Sequence, residues 1–448
     1  MKFCFKIIFV FAFFLIPTNL LAVENIFNSL AAAYLNNPQL NSERAKAKAV
    51  DETLIQSYSV FKPTVIIAGN TGRIDNSGVT GYTSTPTVSS YSQTSRSISI
   101  QESFNPGNIY VSQSAANAVE VEKNNLKLVE QNVLLSTSQA YLATLLAQES
   151  IQVYKENLEL AEKQVELNQS KLDKGLSTIS DVSQSESALA SAQANLLTAQ
   201  NNLLINKKNF KNIVGYDPVD LSPVEKINLS LPKSLEQAIE ITQNNSPVVK
   251  IAQFTYEKAN TDYKAQMAFL SPTFALSYTD TNYSGYSYSI DKLHQAQAMA
   301  TVSTPIYQGG KQTSSILQYK AQLDGAELDF KNAKENANLA TYTAWSNYEL
   351  SIKNFELAKA QLKAAEIFYE GTQQQYEAGN KTTLDVITAI QTLLAAKVNY
   401  TSVKNSIINS QFSLLSAVGD LTAKNLSLDA QIYDPDGYYK RNWIRHIL

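Results

Sequence analysis

The chain has 448 residues, with 37 Lys+Arg against 40 Asp+Glu and a formal net charge of −3 at pH 7. This near balance gives no reason to expect nucleic acid or a polybasic membrane patch. It contains only 15 Gly and 12 Pro, roughly half of average usage, which argues against a chain of many short elements and turns.

The first 22 residues are typical of a secretory signal peptide. Lys2 and Lys6 precede an apolar run from Ile7 to Ile16, and Ala22 is a suitable small residue for cleavage. The run is too short for a good spanning helix. The only cysteine, Cys4, lies in this segment, so we expect a mature chain without cysteine.

The chain offers little material for a catalytic or metal site. Its two histidines, His294 and His446, are too few for a histidine-based metal centre or triad. After the N-terminal segment no stretch of 18 or more apolar residues occurs, so the sequence predicts no transmembrane helix. We expect a protein that is not an enzyme and that needs no cofactor or metal.

The sequence contains an internal repeat, in which one unit occurs twice. The triplet 36–38 (Asn-Asn-Pro) recurs as 245–247 (Asn-Ser-Pro), and the glycine at Gly175 recurs at Gly379. Repeated landmarks in constant order predict two halves with the same fold. The predicted organisation is a signal peptide over 1–22, a first repeat over 23–215, a linker over 216–233, a second repeat over 234–419 and a C-terminal tail over 420–448.

Each half begins with helical spacing, which two strands and two long helices follow. Pro38 is expected to break or kink the first helical segment, 24–60. Strict alternation over 97–101 indicates a strand with one apolar face, and the Ser/Thr/Gly/Tyr-rich segment 72–95 is expected to be a loop. The predicted strands are 64–71, 96–104, 273–280 and 297–304, and the predicted long helices are 108–172, 180–214, 311–376 and 384–418.

Apolar residues recur every seven positions through the long helices. A sustained seven-residue period predicts a left-handed coiled coil. In the second repeat, small residues such as Ala389 and Ala396 lie three positions after members of the apolar series. They allow neighbouring helices to approach closely. One such apolar series is Val182, Leu189, Leu196, Leu203 and Phe210.

The number of strands predicts an assembly of several copies. Four strands cannot close a membrane barrel, because the smallest barrels need about eight. An open sheet in lipid would leave backbone groups unsatisfied. We therefore expect a mainly α fold with a β-barrel part, in which a trimer completes a 12-stranded barrel that long antiparallel helical hairpins continue as a hollow coiled-coil cylinder.

Three motifs carry a resemblance to a known family. They are 305–310 (Pro-Ile-Tyr-Gln-Gly-Gly), 376–386 (Tyr-x-x-Gly-x-x-Thr-x-x-Asp-Val) and 416–421 (Ser-Ala-Val-Gly-x-Leu). With the repeat, they make the chain resemble the TolC-type outer-membrane channels of bacterial efflux pumps and type I secretion systems. The resemblance implies a homotrimer in outer-membrane lipid, with a long periplasmic extension that closes like an iris. It also implies opening by a periplasmic adaptor (membrane fusion protein) and an inner-membrane pump of RND, MFS or ABC type.

The two regions where the long helices turn hold the candidate gate. Asp181 and Asp385 follow the turn glycines Gly175 and Gly379, and three copies would bring their carboxylates towards one axis. A ring of like charges at a constriction selects cations. An aspartate at a helix start also caps the free amides, and the sequence alone favours this second role. The resemblance favours the gate for Asp385.

The resemblance further implies a latch between neighbouring helix pairs, with Ser180 and Asp181 on one side and Tyr376 and Lys381 on the other. Lys381 stands where the best-known member has Arg, so the planar guanidinium is lost. Thr388 stands where that member has a second aspartate. We expect a looser latch and a single carboxylate ring.

Two other architectures fit part of the pattern. A secreted fibrous coiled-coil adhesin would also be poor in Gly and Pro, but it would not need four alternating strands at equivalent points of two repeats. A periplasmic adaptor has helical hairpins that flank compact β domains, whereas here the strands directly precede the long helices.

Overall fold

The computed structural model describes residues 24–79, 86–224, 227, 229–287 and 289–438. The expected signal peptide, 1–22, lies outside the described residues, as does His446. Within these ranges the elements follow the order ααββαα twice. The helices are α1 (Ile26–Asn36), α2 (Pro38–Tyr58), α3 (Gly107–Asp173), α4 (Ile179–Val214), α5 (Leu235–Asn245), α6 (Pro247–Ala268), α7 (Lys311–Glu377) and α8 (Thr383–Ala417). The strands are β1 (Thr64–Val79), β2 (Pro86–Phe104), β3 (Thr273–Ser284) and β4 (Lys292–Ser303).

The first helical segment is split between α1 and α2. Asn37 has an extended backbone, and its side-chain oxygen accepts hydrogen bonds from the amides of Gln39 and Leu40 at 2.9 and 3.3 Å. Asn37 therefore caps α2. Pro38 is the first residue of α2, where its missing amide hydrogen is not needed, so the segment breaks just before the proline.

The long helices give the protein its length. α3 and α7 have 67 residues each, about 100 Å at 1.5 Å per residue. Each turns back into a shorter helix, α4 or α8, to form a hairpin. The ends of these four helices differ by at most one residue from the ranges that the sequence predicts. Small buried residues, Ala192 and Ala199 on α4 and Ala389 and Ala396 on α8, lie at the helix contacts.

Polar contacts between α3 and α8 join the two hairpins. The Lys397 Nζ lies 2.6 Å from Glu156 Oε2, and the Lys404 Nζ lies 3.3 Å from Glu149 Oε1. Asn405 donates a hydrogen bond of 3.1 Å to the other oxygen of Glu149. The bond from Lys397 holds the pKa of Glu156 below its usual range. The hairpins are therefore tied together along their length, well before the turns.

The four strands form one antiparallel sheet in the order β1-β2-β3-β4. Thr64 pairs with Gln101 at one end of the β1–β2 ladder, and Val79 pairs with Pro86 at the other. The expectation of a loop over 72–95 is therefore wrong for most of that segment. Thr and Tyr suit a pleated surface, and ladder pairing satisfies the backbone groups of this polar segment.

The register gives the sheet one apolar face and one polar face. Ile100 lies between Val65 of β1 and Tyr278 of β3, and Leu276 lies opposite Ala300. The apolar face consists of Val65, Ile67, Ile98, Ile100, Phe104, Phe274, Leu276, Tyr278, Ala298, Ala300 and Val302. The polar face includes Ser97, Ser99, Gln101, Ser277, Thr279, Gln297 and Thr301. Glu102, Arg96, Asp280 and His294 on the apolar face, and Ile66 and Met299 on the polar face, depart from this division.

Both outer edges of the sheet are open. In the part of the chain that the structure describes, β1 and β4 each pair with a strand on one side only. Such edges expose amide and carbonyl groups to which another strand can add.

No helix in the described ranges is long and apolar enough to cross a membrane.

The largest hydrophobic core lies where both halves of the chain meet. Tyr141 of α3, Phe210 of α4 and Phe412 of α8 are fully buried there. The Tyr141 hydroxyl lies 2.8 Å from the carbonyl oxygen of Glu24 and 2.9 Å from that of Ser222. Burial raises the pKa of Tyr141, so the phenol stays neutral and fastens the segments on either side of the first hairpin.

Candidate gate at the helix turns

Both hairpins turn at a glycine with left-handed backbone geometry. The φ angle is +71° at Gly175 and +83° at Gly379, a region that a side chain with a Cβ atom rarely adopts. After α3 the amide of Leu176 bonds to the carbonyl oxygen of Lys171 at 2.7 Å. Such a bond closes the last helical turn, so the glycine fixes where the chain reverses.

Asp181 caps the start of α4. Its Oδ2 accepts hydrogen bonds from the Thr178 hydroxyl at 2.6 Å and the Thr178 amide at 3.0 Å, while the Asp181 amide donates to Thr178 Oγ1 at 3.2 Å. These reciprocal bonds form a capping box. The bonds from Thr178, with a smaller contribution from the Thr383 hydroxyl of α8, lower the pKa of Asp181. The carboxylate is therefore both fixed in place and kept ionised.

Asp385 caps α8 in the same way. Its Oδ2 accepts from the Thr382 amide at 2.9 Å and from the Thr382 hydroxyl at 2.8 Å. These bonds lower the pKa of Asp385, and Lys381 adds to the effect. The Lys381 Nζ lies 3.6 Å from Oδ1, and both side chains are 39% exposed. An ion pair this exposed contributes little to stability.

Tyr376 lies buried between the two hairpins, with 5% of its surface exposed. Its hydroxyl donates to Asn168 Oδ1 of α3 and lies 3.4 Å from the Thr383 hydroxyl of α8. The Lys171 Nζ lies 3.5 Å from the centre of the Tyr376 ring and donates to the Tyr376 carbonyl oxygen at 3.3 Å. Two residues of α3 thus hold the last turn of α7.

Ser180 and Thr388 lie exposed on the early turns of α4 and α8. The Thr388 hydroxyl donates back to the Leu384 carbonyl oxygen at 2.8 Å, a bond that is local to its own helix. Neither side chain supplies a charge at the turns.

Within one protomer the predicted latch residues find other partners. Tyr376 bonds to Asn168, and Lys381 pairs with Asp385; neither bonds to the α4 residues that the sequence suggests. A latch through Ser180 between neighbouring helix pairs remains a prediction.

Sequence reasoning missed Asn168, although a signal was present. Ala161 and Asn168 lie seven residues apart on α3, and both are buried. A polar residue at a buried position of a seven-residue repeat commonly fixes register. The polar residue in this series was the available clue.

The turn region offers fixed charges and hydroxyl groups. In the described ranges, no group of three or more His, Cys, Asp or Glu residues is arranged to hold a metal ion. The arrangement suits electrostatic action on passing ions.

Comparison with known proteins identifies the family. The chain matches the outer membrane efflux protein family over residues 30–216 and 238–420, which is most of its length. The chain belongs to this family. It is 26% identical over 420 residues to the outer membrane efflux protein BepC of Brucella suis biovar 1 (strain 1330), covering 93% of this chain and 90% of BepC. It is 26% identical over 165 residues to the outer membrane protein TolC of Escherichia coli (strain K12), covering 35% of this chain and 34% of TolC.

Solved structures of outer-membrane channels share the fold. The CmeC outer membrane channel of Campylobacter jejuni matches with a TM-score of 0.80 at 17% identity, covering 93% of this chain and 89% of CmeC. The resemblance to TolC-type channels is thus confirmed, and the adhesin and adaptor interpretations are wrong. This outer membrane efflux protein is an outer-membrane exit duct for efflux or type I secretion, with a helical extension in the periplasm. Proteins of the family work in tripartite assemblies with an adaptor and an inner-membrane transporter.

Proposed function

We propose that three copies of this outer membrane efflux protein form a homotrimer with one shared barrel of twelve strands. The sheet, with its apolar face, its polar face and its two open edges, carries this proposal. In lipid every backbone polar group needs a partner. Pairing β4 of one copy with β1 of the next satisfies both edges through one repeated head-to-tail contact, which closes into a ring. Twelve strands exceed the minimum of about eight for a membrane barrel.

The two faces of the sheet then meet different solvents. The apolar face contacts outer-membrane lipid, and the polar face lines the lumen, as in membrane barrels with a water-filled interior. A wall of hydroxyl and amide groups suits passive conduction of solvated cargo. The inner-membrane pump, of RND, MFS or ABC type, supplies the energy through a periplasmic adaptor. In this proposal the protein has no catalytic role, requires no cofactor and does not bind nucleic acid.

The helix turns form the gate of this duct. In the trimer, Asp385 and Asp181 direct negative charge towards the common axis, where a carboxylate ring favours cations over anions. The capping bonds from Thr382 and Thr178 support this role, because they keep the carboxylates ionised and immobile. Thr388 adds no charge, so α8 supplies a single carboxylate ring.

Tyr376 and Lys381 keep the gate closed. Tyr376 holds α7 against α3 within one copy, and Lys381 links its turn to Ser180 and Asp181 of the neighbouring helix pair. Exposed polar links are individually weak, but each occurs three times in a trimer. An adaptor that docks on the helix ends can therefore release them.

The first test of this proposal is the mass of the protein extracted from bacterial envelopes. Light scattering corrected for bound detergent should give three chains per particle. A monomer or a dimer would contradict the shared barrel.

The second test is conductance in planar bilayers. Tyr376→Phe combined with Lys381→Ser should raise conductance above the wild-type level. Lys320→Ser is a matched control for the lysine, because Lys320 forms a similar pair with Asp324 on α7, away from the turn, at 2.6 Å. Unchanged conductance in the first variant, or an equal rise in the control, would count against the latch.

A further inference from the structure

One buried carboxamide, that of Asn168, connects three long helices near the turns. Its side chain is fully buried. The Oδ1 accepts hydrogen bonds from the Tyr376 hydroxyl of α7 and from Gln164 Nε2 at 3.2 Å. The Nδ2 donates to Ser185 Oγ and, at 3.4 Å, to the carbonyl oxygen of Asp181, both on α4. Both polar atoms of Asn168 are therefore fully engaged.

The direction of these bonds is fixed. The Asp181 carbonyl oxygen can only accept, and the Ser185 hydroxyl already donates to it at 2.9 Å. The amide nitrogen of Asn168 must therefore face α4, which leaves its oxygen facing α7. Tyr376 is consequently the donor in its bond to Asn168.

The surroundings of Tyr376 strengthen this contact. Lys171, three residues after Asn168, lies on the same side of α3 and contacts both the ring and the carbonyl oxygen of Tyr376. Leu167 of α3 packs against the cluster of Tyr376, Val386 and Ile390. The helix α3 thus holds the hydroxyl, the ring and the backbone of one tyrosine.

Separating the hairpins breaks the buried hydrogen bond between Tyr376 and Asn168. If α7 moves away from α3, the bond between the Tyr376 hydroxyl and Asn168 Oδ1 breaks, and Oδ1 keeps only its bond from Gln164. A hydrogen bond in a buried site is stronger than one in water, whereas an exposed ion pair contributes little. The contact between Tyr376 and Asn168 therefore resists opening more strongly than the pair between Lys381 and Asp385.

We propose that Asn168 is the positioning residue of the gate: it receives the Tyr376 hydroxyl in the closed state, and the gate opens when this buried bond breaks. The inference rests on the proposed gating function and extends it. It assigns the intraprotomer latch to a neutral residue of α3, away from the carboxylates at the start of α4.

A double-mutant cycle tests whether the two residues act through one bond. Asn168→Leu and Tyr376→Phe should each raise the open probability in planar bilayers, by about five-fold or more per protomer, the value of one hydrogen bond. The combined variant should show no greater rise than either single variant, because both remove the same contact. Multiplying effects, or no rise in Asn168→Leu, would overturn the proposal.

Asn157→Leu is the matched control. Asn157 is also a buried asparagine of α3, 8% exposed, and the Tyr376 hydroxyl bonds to Asn168 and Thr383 instead of to it. This variant should gate like the wild type. A rise equal to that of Asn168→Leu would show that any loss of a buried amide loosens α3, and it would overturn the specific role of Asn168.

A distance measurement separates the latch from the channel function. Spin labels at cysteines replacing Lys174 and Asn380, which are exposed on the two turns, report the spacing of the hairpin ends when labelled copies are diluted with unlabelled ones. The distance should lengthen in Asn168→Leu and stay unchanged in Asn157→Leu. An unchanged distance in Asn168→Leu overturns the latch. A longer distance in a protein that conducts no ions supports the latch and refutes the proposed ion-conducting trimer, whereas a longer distance with wild-type gating refutes the link to the gate.

Discussion

A lysine at Ile100 should oppose insertion of the sheet into the membrane. Ile100 lies between Val65 and Tyr278 on the apolar face, and Ile98 and Phe104 share that face of its strand. A lysine on the lipid side near the bilayer midplane is unfavourable by about 2–4 kcal/mol per copy, so about 6–12 kcal/mol for three copies. That total is comparable to the whole stability of a typical domain. We expect Ile100→Lys to lower sharply the fraction of the protein that inserts into lipid vesicles. Urea unfolding of the protein that does insert should show the loss of stability.

The adjacent residue supplies the control. Ser99 lies on the polar face, between Ile66 and Thr279. Ser99→Lys should insert like the wild type and shift ion preference towards anions, because the new charge faces the lumen. If Ser99→Lys blocked insertion while Ile100→Lys did not, the two faces would be assigned the wrong way round. Equal insertion of both variants would refute the barrel.

Three further substitutions and one change of pH address the turns. Asp385→Asn removes one charge per copy and should lower cation preference, measured as the reversal potential in a salt gradient; an unchanged potential would contradict the ring. Because the Thr382 bonds lower the folded-state pKa of Asp385, its carboxylate contributes stability above the unfolded pKa of about 3.9 and loses it only as the pH falls through the lower folded value. Cation preference should therefore persist at pH 5, and its loss above that pH would be inconsistent with the capping bonds. Thr178→Ala should lower the free energy of unfolding by about 1 kcal/mol in denaturant titrations, and no change would show that the box contributes nothing. Gly379→Ala should destabilise by about 1–2 kcal/mol because of its positive φ, whereas Gly371→Ala, inside α7 near its C-terminal end and with open space around the new methyl group, should stabilise; equal effects would refute the backbone argument.

The helix ends are the part of the fold that local sequence predicted most closely. Gly175 and Gly379 end the long helices with left-handed geometry, and Thr178 and Thr382 begin the next ones as caps. Such signals act within a few residues, so a single sequence contains them. The same locality explains why the capping role of the aspartates was visible before the structure.

The strands and the buried latch depend on partners far away in the chain. The polar segment 72–95 looks like a loop in isolation, yet most of it is strand because β1 and β2 pair along their length. Asn168 and Tyr376 lie 208 residues apart. Only the packing of the second hairpin against α3, mainly through α8, brings them together, and no local pattern encodes that register.

Capping and gating are compatible roles for Asp181 and Asp385. Each carboxylate uses its Oδ2 to bind a threonine of its own turn, so its charge cannot swing away while the capping box is intact. A ring built from such groups opens only when the helix ends themselves move apart. Within one copy, the proposed latch is the hydrogen bond from Tyr376 to Asn168, which would oppose that movement. In this scheme the capping bonds fix the position of the carboxylates, and the buried latch controls when the helix ends move apart.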